Sequence, residues 1–179
     1  MEYMFRDLKA NEIDVRVSSV TDKGVALLLY KDARVDQNIL DETVGAMNWD
    51  RDHKELKGNV YAGIGIWNDE QKRLVWKWDA GKESFTEAEK GEASDSFKRA
   101  GFNWGIGREL YTSPFMWIPA EKCKIYTNKQ GKLACSDKFI VEAIEIKNKE
   151  ITGLAIKNIS LKPNDTVTSQ RVFVYRKVA

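Results

Sequence analysis

The fold of this chain is decided by residues 59–80, which read NVYAGIGIWNDEQKRLVWKWDA. Apolar residues alternate with small or polar ones on both sides of a polar turn at 68–71, and this pattern predicts an antiparallel hairpin. Trp76 and Trp78 share one face of its second strand. With a further strand that begins near Trp49, the hairpin predicts a three-stranded meander with one strongly aromatic face that needs a cover.

A helix that follows the meander is the predicted cover. Ser84 and Glu87 are spaced as in a capping box at a helix N-terminus. Beyond them an apolar stripe recurs at helical intervals, and its members are Ala93, Phe97, Ala100 and Trp104. Gly105 and Gly107 predict the end of this helix. We expect the apolar stripe to lie on the aromatic sheet.

Further elements complete an α+β fold. The apolar spacing predicts a helix over 33–44. Alternation predicts strands at 13–17 and 139–146, and apolar runs predict strands at 25–30, 151–156 and 171–178. We expect an antiparallel β-meander packed by a long helix, a β-β-β-α core, with an additional C-terminal β segment. Residues 1–112 are assigned to the core domain. Residues 113–179 are assigned to a basic, β-rich extension that packs on the same domain.

Charge is distributed unevenly along the 179 residues, whose net charge is +2. Residues 1–121 carry 17 Lys plus Arg against 22 Asp plus Glu, whereas residues 122–179 carry 12 against 5. No apolar run approaches the length of a membrane helix, so we expect a soluble, intracellular protein without a membrane partner. Cys123 and Cys135 lack a second cysteine pair or a nearby histidine, which predicts reduced thiols rather than a zinc site.

The sequence gives little support to an enzyme. Gly105-Ile106-Gly107 follows a predicted helix, whereas the dinucleotide-binding fingerprint follows a strand. No glycine-rich phosphate loop ending in Lys-Ser or Lys-Thr is present. Three carboxylates spread around the predicted helix, which disfavours a metal-dependent nuclease but leaves that alternative open, and they are Glu87, Glu92 and Asp95. We expect no catalytic activity, no cofactor and no metal ion.

Cations accompany the apolar stripe on the predicted helix. Lys90, Ser94 and Lys98 recur every four residues, and Arg99 adjoins them. A helix that buries one face on a sheet and presents Lys and Arg on its flank is able to follow a phosphate backbone. The same residues also fit a solvated face that pairs with carboxylates, so both interpretations stay open at this point.

One segment carries a family resemblance. Residues 89–108 read EKGEASDSFKRAGFNWGIGR. This segment, together with similarly spaced upstream residues, resembles the Rad-fifty-two (Rad-twenty-two) family of DNA strand-annealing proteins, above all the short versions found in bacteriophages and prophages. The similarity covers roughly residues 10–110. The upstream matches are Arg34-Val35, Leu40, Val44-Gly45, Asn48-Trp49, residues 59–64, residues 79–81 and Ser84.

The resemblance implies a DNA site and an assembly. Members of the family form rings or helical filaments that hold single-stranded DNA in a positively charged groove. Carried over by position, the implied DNA-binding residues are Lys98, Arg99, Lys90, Arg16 and Arg108. Arg16 lies in a poorly similar segment, and Arg108 also fits a structural role.

The expected function follows from this resemblance. It is the binding of single-stranded DNA and the annealing of complementary strands in recombination and double-strand break repair, without ATP or metal. The expected partners are single-stranded DNA and further copies of the chain, and a phage exonuclease or a host single-strand binding protein is a candidate. The expected location is the cytoplasm of a bacterial host. A non-annealing DNA-binding or assembly module of the same fold is the alternative.

Overall fold

The computed structural model is an α+β protein built from antiparallel sheets, which confirms the predicted fold class. It describes residues 3–81, 88–161 and 170–177. The strands of this part of the chain are β1 (Asp14–Thr21), β2 (Gly24–Tyr30), β3 (Trp49–Leu56), β4 (Asn59–Asn68), β5 (Arg73–Ala80), β6 (Met116–Pro119), β7 (Ile125–Thr127), β8 (Leu133–Cys135), β9 (Phe139–Lys147), β10 (Glu150–Asn158) and β11 (Arg171–Arg176). The α-helices are α1 (Ala33–Val44) and α2 (Ala88–Trp104).

The chain divides into two compact units. Unit 1 comprises Met1–Asp7 and Asp32–Arg108. Unit 2 comprises Leu8–Lys31 and Glu109–Ala179. Each unit contains a sheet of its own, and each is described separately.

Helix α1 of unit 1 has both of its ends determined locally. The Asp32 carboxylate accepts a hydrogen bond of 2.8 Å from the backbone N–H of Arg34, as an N-cap residue does. The helix ends at Gly45, whose φ of 86° suits a residue without a Cβ. Ile39 and Leu40 are fully buried. The helix predicted over residues 33–44 is confirmed.

The sheet of unit 1 is the predicted antiparallel meander β3-β4-β5. On one face of β4 the side chains of Ala62, Ile64 and Ile66 are buried. Register places Trp78 beside Gly63 and Trp76 beside Gly65, so both tryptophans lie on the opposite face.

Helix α2 covers the face of Ile64, and the prediction that it covers the aromatic face is wrong. The Trp104 indole N–H donates to the Ile64 carbonyl oxygen at 2.9 Å. The Phe97 ring lies 6.3 Å from that of Trp49, whose register partner is the buried Ile66. Aliphatic side chains let a helix approach closely, whereas the indoles of the other face lie flat on glycines and need no helix above them.

Unit 2 contains a six-stranded antiparallel sheet in the order β11-β10-β9-β1-β2-β6. Its end strands β6 and β11 contact each other, so the sheet curls around one buried face. The core on that face includes Val25, Leu27, Ile118, Val141, Ile156 and Val172. A two-stranded sheet, β7-β8, accompanies it.

The division of the chain differs from the domain boundary predicted between residues 112 and 113. Strands β1 and β2 precede most of unit 1 in sequence, but they pair with β9 and β6. Val25 pairs with Ile118 and Leu27 pairs with Met116 on the buried face. Burial of these side chains therefore groups the early hairpin with the C-terminal strands.

Several other sequence predictions can be compared with the described residues. The C-terminal strands at 139–146, 151–156 and 171–178 correspond to β9, β10 and β11. The short strands β6, β7 and β8 were not predicted. The capping box at Ser84 and Glu87 lies outside the described residues, while Gly105 and Gly107 follow the end of α2 with φ of 97° and 69°.

Candidate nucleic-acid interface

The centre of the resemblance lies on α2 of unit 1. Phe97 and Ala100 are buried, with 2% and 0% of their surfaces exposed. Lys98 and Arg99 stand between them in sequence and are half-buried. Because successive helical residues point about 100° apart, burying Phe97 and Ala100 on the sheet leaves Lys98 and Arg99 on the flanks of the helix.

Arg99 lies at the seam between α2 and β5. Its Nε is 3.3 Å from Oδ1 of Asp79, and both side chains keep about a third of their surface exposed, 34% and 29%. Asn103, one turn further along, donates to Oδ2 of Asp79 at 3.3 Å and to the Trp78 carbonyl oxygen at 3.0 Å. Arg99 therefore holds the helix to the sheet edge as well as presenting positive charge.

Two further cations gather at the C-terminal end of α2. The Lys77 ammonium donates to the carbonyl oxygen of Asn103 at 2.9 Å and lies 4.2 Å from the centroid of the Trp104 ring. The exposed Arg108 guanidinium donates to the carbonyl oxygens of Phe102 and Asn103, at 2.9 and 3.3 Å. These contacts satisfy carbonyls at the negative end of the helix, so the structural role considered for Arg108 has a physical basis.

Lys77 was not predicted as a site residue. Burial lowers its pKa, and the nearby charge of Arg108 lowers it further. Strand alternation predicts that Lys77 points to the face opposite Trp76 and Trp78, but only the structure shows that α2 covers that face. We name Lys77, Arg99 and Arg108, with Asp79 and Asn103, the α2–β5 seam. It holds three cations and one carboxylate.

Lys98 lies on a different flank of α2 from this seam. Its charge acts on Asp32, the N-cap residue of α1. The pKa of Asp32 is lowered chiefly by its hydrogen bonds with Arg34 and, to a lesser degree, by Lys98. Adjacent positions in the sequence thus present positive charge in two directions.

Two of the predicted site residues remain to be located. The Lys90 backbone lies in α2, but its side chain is outside the described residues. Arg16 lies on β1 of unit 2, exposed, with its guanidinium carbon 5.8 Å from the centroid of the Tyr30 ring.

The aromatic face of unit 1 carries one cation–π contact. The rings of Trp76 and Trp78 stack with centroids 5.5 Å apart and planes 26° apart. The Lys54 ammonium lies 4.1 Å from the centroid of the Trp78 ring. Both indoles are half-exposed, so this face combines apolar area with positive charge.

The described residues contain no group of three His, Cys, Asp or Glu side chains that is able to hold a metal ion. The side chains of Glu87 and Glu92, considered for a nuclease, lie outside these residues. Cys123 and Cys135 are free thiols, and burial raises the pKa of Cys123 to about 12. Within the same described ranges, no helix has the length and apolar character needed to cross a bilayer.

Comparisons with known proteins return no relative. No family model matches the chain, and neither the curated proteins nor the solved structures include a match. The family resemblance therefore rests on the residues quoted for it and on nothing else.

Proposed function

We propose that this protein binds single-stranded DNA along the flanks of α2 and anneals complementary strands, without ATP or a metal ion. The observation that carries the proposal is the arrangement of residues 97–100, which lie in the segment that carries the family resemblance. The apolar residues Phe97 and Ala100 are buried on the sheet, while Lys98 and Arg99 stay partly exposed. The proposed role is in recombination and double-strand break repair in the cytoplasm of a bacterial host.

The chemistry of such a site is electrostatic. Two single strands anneal slowly because their phosphates repel each other and because each strand folds on itself. Lys98 and the cations of the α2–β5 seam would neutralise phosphates, while the bases stay free to pair. Since the contacts are to the backbone, we expect weak sequence preference and strong salt dependence. No bond is broken, so the proposal requires no nucleophile.

Assembly is part of the proposal. One chain offers a short binding surface, and an oligomer would join several such surfaces on one strand, which raises affinity through effective concentration. We therefore propose a ring or helical filament of identical chains. A phage exonuclease or a host single-strand binding protein is the proposed further partner.

The test is annealing of complementary oligonucleotides by the Lys98→Gln protein. Each lost phosphate contact should lower affinity and reduce the slope of log affinity against log salt by about 0.7. We expect weaker binding in an anisotropy titration and slower annealing than for the unaltered protein. Light scattering on the same samples measures the assembly.

Two further variants separate charge from structure. Lys129→Gln removes the same charge from an exposed turn and should change neither rate nor affinity. Arg99→Lys keeps the charge but loses the guanidinium contact to Asp79, so we expect it to retain more binding than Arg99→Gln. If Lys98→Gln annealed the oligonucleotides at the rate of the unaltered protein, the assignment of the DNA site to α2 would be wrong. DNA binding without any annealing by the unaltered protein would favour the non-annealing module.

A further inference from the structure

The outward face of the β1–β2 hairpin in unit 2 carries apolar side chains. Register places Leu28 opposite Arg16, so both point to the same face of the sheet. Tyr30, two residues after Leu28, shares that face. Its ring lies 5.8 Å from the guanidinium carbon of Arg16.

Strand β6 extends the same face. Trp117 pairs with Ala26, which lies two residues before Leu28. The Trp117 indole lies against Gly24, where a Cβ would come within 2.8 Å of the ring. Phe115 stacks on Trp117 with centroids 6.5 Å apart and planes 17° apart. We name this surface the aromatic platform, and its members are Phe115, Trp117, Leu28, Tyr30 and Arg16.

The platform is exposed although it is largely apolar. Phe115, Leu28 and Tyr30 keep 78%, 46% and 40% of their surfaces exposed. The opposite face of the same strands holds the core, where Val25 and Leu27 are 0% and 2% exposed. A contiguous apolar patch on the outer face of a sheet with a complete core marks a binding surface.

Charge indicates what binds there. Unit 2 carries 16 Lys plus Arg against 10 Asp plus Glu, a net charge of +6. Arg16 adds a guanidinium to the platform itself, and Asp14, the register partner of Tyr30, is an acidic neighbour. A polyanion is attracted to a unit of this charge, whereas unit 2 of a second chain is repelled by it. Aromatic rings beside Arg on an open sheet face suit unpaired bases, whose π-faces stack on them while a phosphate meets the cation.

We propose that the aromatic platform of unit 2 binds single-stranded DNA by stacking unpaired bases on Phe115 and Tyr30, with Arg16 contacting a phosphate. The platform shares no residue with the site proposed on α2, which includes Lys98 and Arg99. The platform would contact bases, whereas the site on α2 would contact phosphates. The proposal thus goes beyond annealing and adds a second contact surface for the strand.

The test compares two probes on the full chain. Phe115→Ala and Tyr30→Ala are titrated with labelled oligo-dT and with an abasic deoxyribose-phosphate strand of equal length. Loss of one stacked base should weaken oligo-dT binding about 5- to 150-fold. Binding of the abasic strand should not change, because it has no base to stack.

Matched controls accompany these variants. Tyr126→Ala removes an aromatic side chain that is 48% exposed on β7, outside the platform, and should leave both affinities unchanged. Arg16→Gln should lower the affinity for both probes alike and reduce the slope of log affinity against log salt by about 0.7. Circular dichroism checks that each variant is folded, and Phe115 is exposed enough for its loss to be tolerated.

The outcomes decide between occupants. Unchanged oligo-dT affinity in folded Phe115→Ala would overturn the proposal. An equal loss of affinity for oligo-dT and for the abasic strand would overturn it as well. A fall in the particle mass measured by light scattering, with unchanged DNA affinity, would make the platform an interface between copies. Lys98→Gln lies in the other unit and tests the proposed annealing site separately. Loss of oligo-dT binding in Phe115→Ala but not in Lys98→Gln would support the platform as a DNA-binding surface and contradict the proposed site on α2.

Discussion

At the scale of single residues, Gly63 and Gly65 determine the outer face of the unit 1 sheet. A Cβ on Gly63 would come within 2.6 Å of the Trp78 indole, and one on Gly65 within 2.7 Å of the Trp76 indole. Both glycines lie in a regular strand, so closeness of approach, not backbone freedom, requires them. The two indoles lie flat because the strand beside them has no side chains at these positions.

Gly63→Ala should therefore destabilise the protein by about 1–3 kcal/mol, because the added methyl displaces the Trp78 ring. Urea unfolding measures the loss. In a Trp78→Leu background the same methyl has room, and Gly63→Ala should cost much less there. An equal cost in both backgrounds would show that the ring is not what excludes the side chain.

At the scale of elements, one carboxylate joins three strands of unit 2. Glu142 on β9 pairs with Lys157 on β10 at 2.7 Å and with Arg171 on β11. Its hydrogen bond with Arg171, and then that with Lys157, lower its pKa from 4.5 to about 2. In unit 1, α1 and α2 approach closely at Gly101, where a Cβ would come within 2.5 Å of the Asp36 carboxylate.

The lowered pKa of Glu142 predicts a pH dependence of stability. The folded carboxylate stays ionised down to about pH 2, whereas the unfolded one takes up a proton near pH 4.5. The stabilisation by these ion pairs is therefore complete above pH 4.5 and is lost as the pH falls toward 2. Glu142→Gln should unfold more readily than the parent at pH 7, and the difference should shrink over this window.

Urea unfolding at several pH values gives the measurement. Glu121→Gln, which removes an exposed carboxylate of the same unit, serves as the control. A difference between Glu142→Gln and the parent that stays constant from pH 7 to pH 2 would contradict the assignment.

At the scale of the whole molecule, the two units interleave along the chain. Unit 2 begins at Leu8 and includes the β1–β2 hairpin. Residues 32–108 then belong to unit 1, and unit 2 resumes at residue 109. The hairpin finds its sheet partners, β6 and β9, about a hundred residues away in sequence. Long-range pairing of this kind joins an early hairpin to strands of the C-terminal half of the chain.

A fragment of residues 1–112 should show this dependence. It retains β1 and β2 but lacks their partner strands, and an isolated two-stranded hairpin is marginally stable. In hydrogen exchange we expect the amide of Leu27 to lose protection, while the amide of Ile64 on β4 keeps it. Full protection of Leu27 in the fragment would favour the boundary expected at residue 112.

Local patterns in the sequence predicted much of the fold. Alternation and turn residues predicted β4 and β5, to which the expected meander added a strand near Trp49, and apolar spacing with Gly45 predicted α1 at its observed bounds. These features depend on neighbours within a few residues, so a sequence pattern contains them. The position of Lys98 and Arg99 beside the buried stripe of α2 follows from the same local pattern, whereas their assignment to a DNA site rests on the family resemblance.

Tertiary structure decided what the local patterns left open. Helix α2 covers the face of the meander over which a helix fits more closely, which is the face of Ile64 and not that of the indoles. Alternation with a period of two marks two faces but does not show which of them a helix will cover. The partners of Arg99 and Arg108 depend on where β5 and the end of α2 meet. The exposed Phe115, Leu28 and Tyr30 became one surface only when β6 paired with β2, because strand pairing between distant segments leaves no local signature.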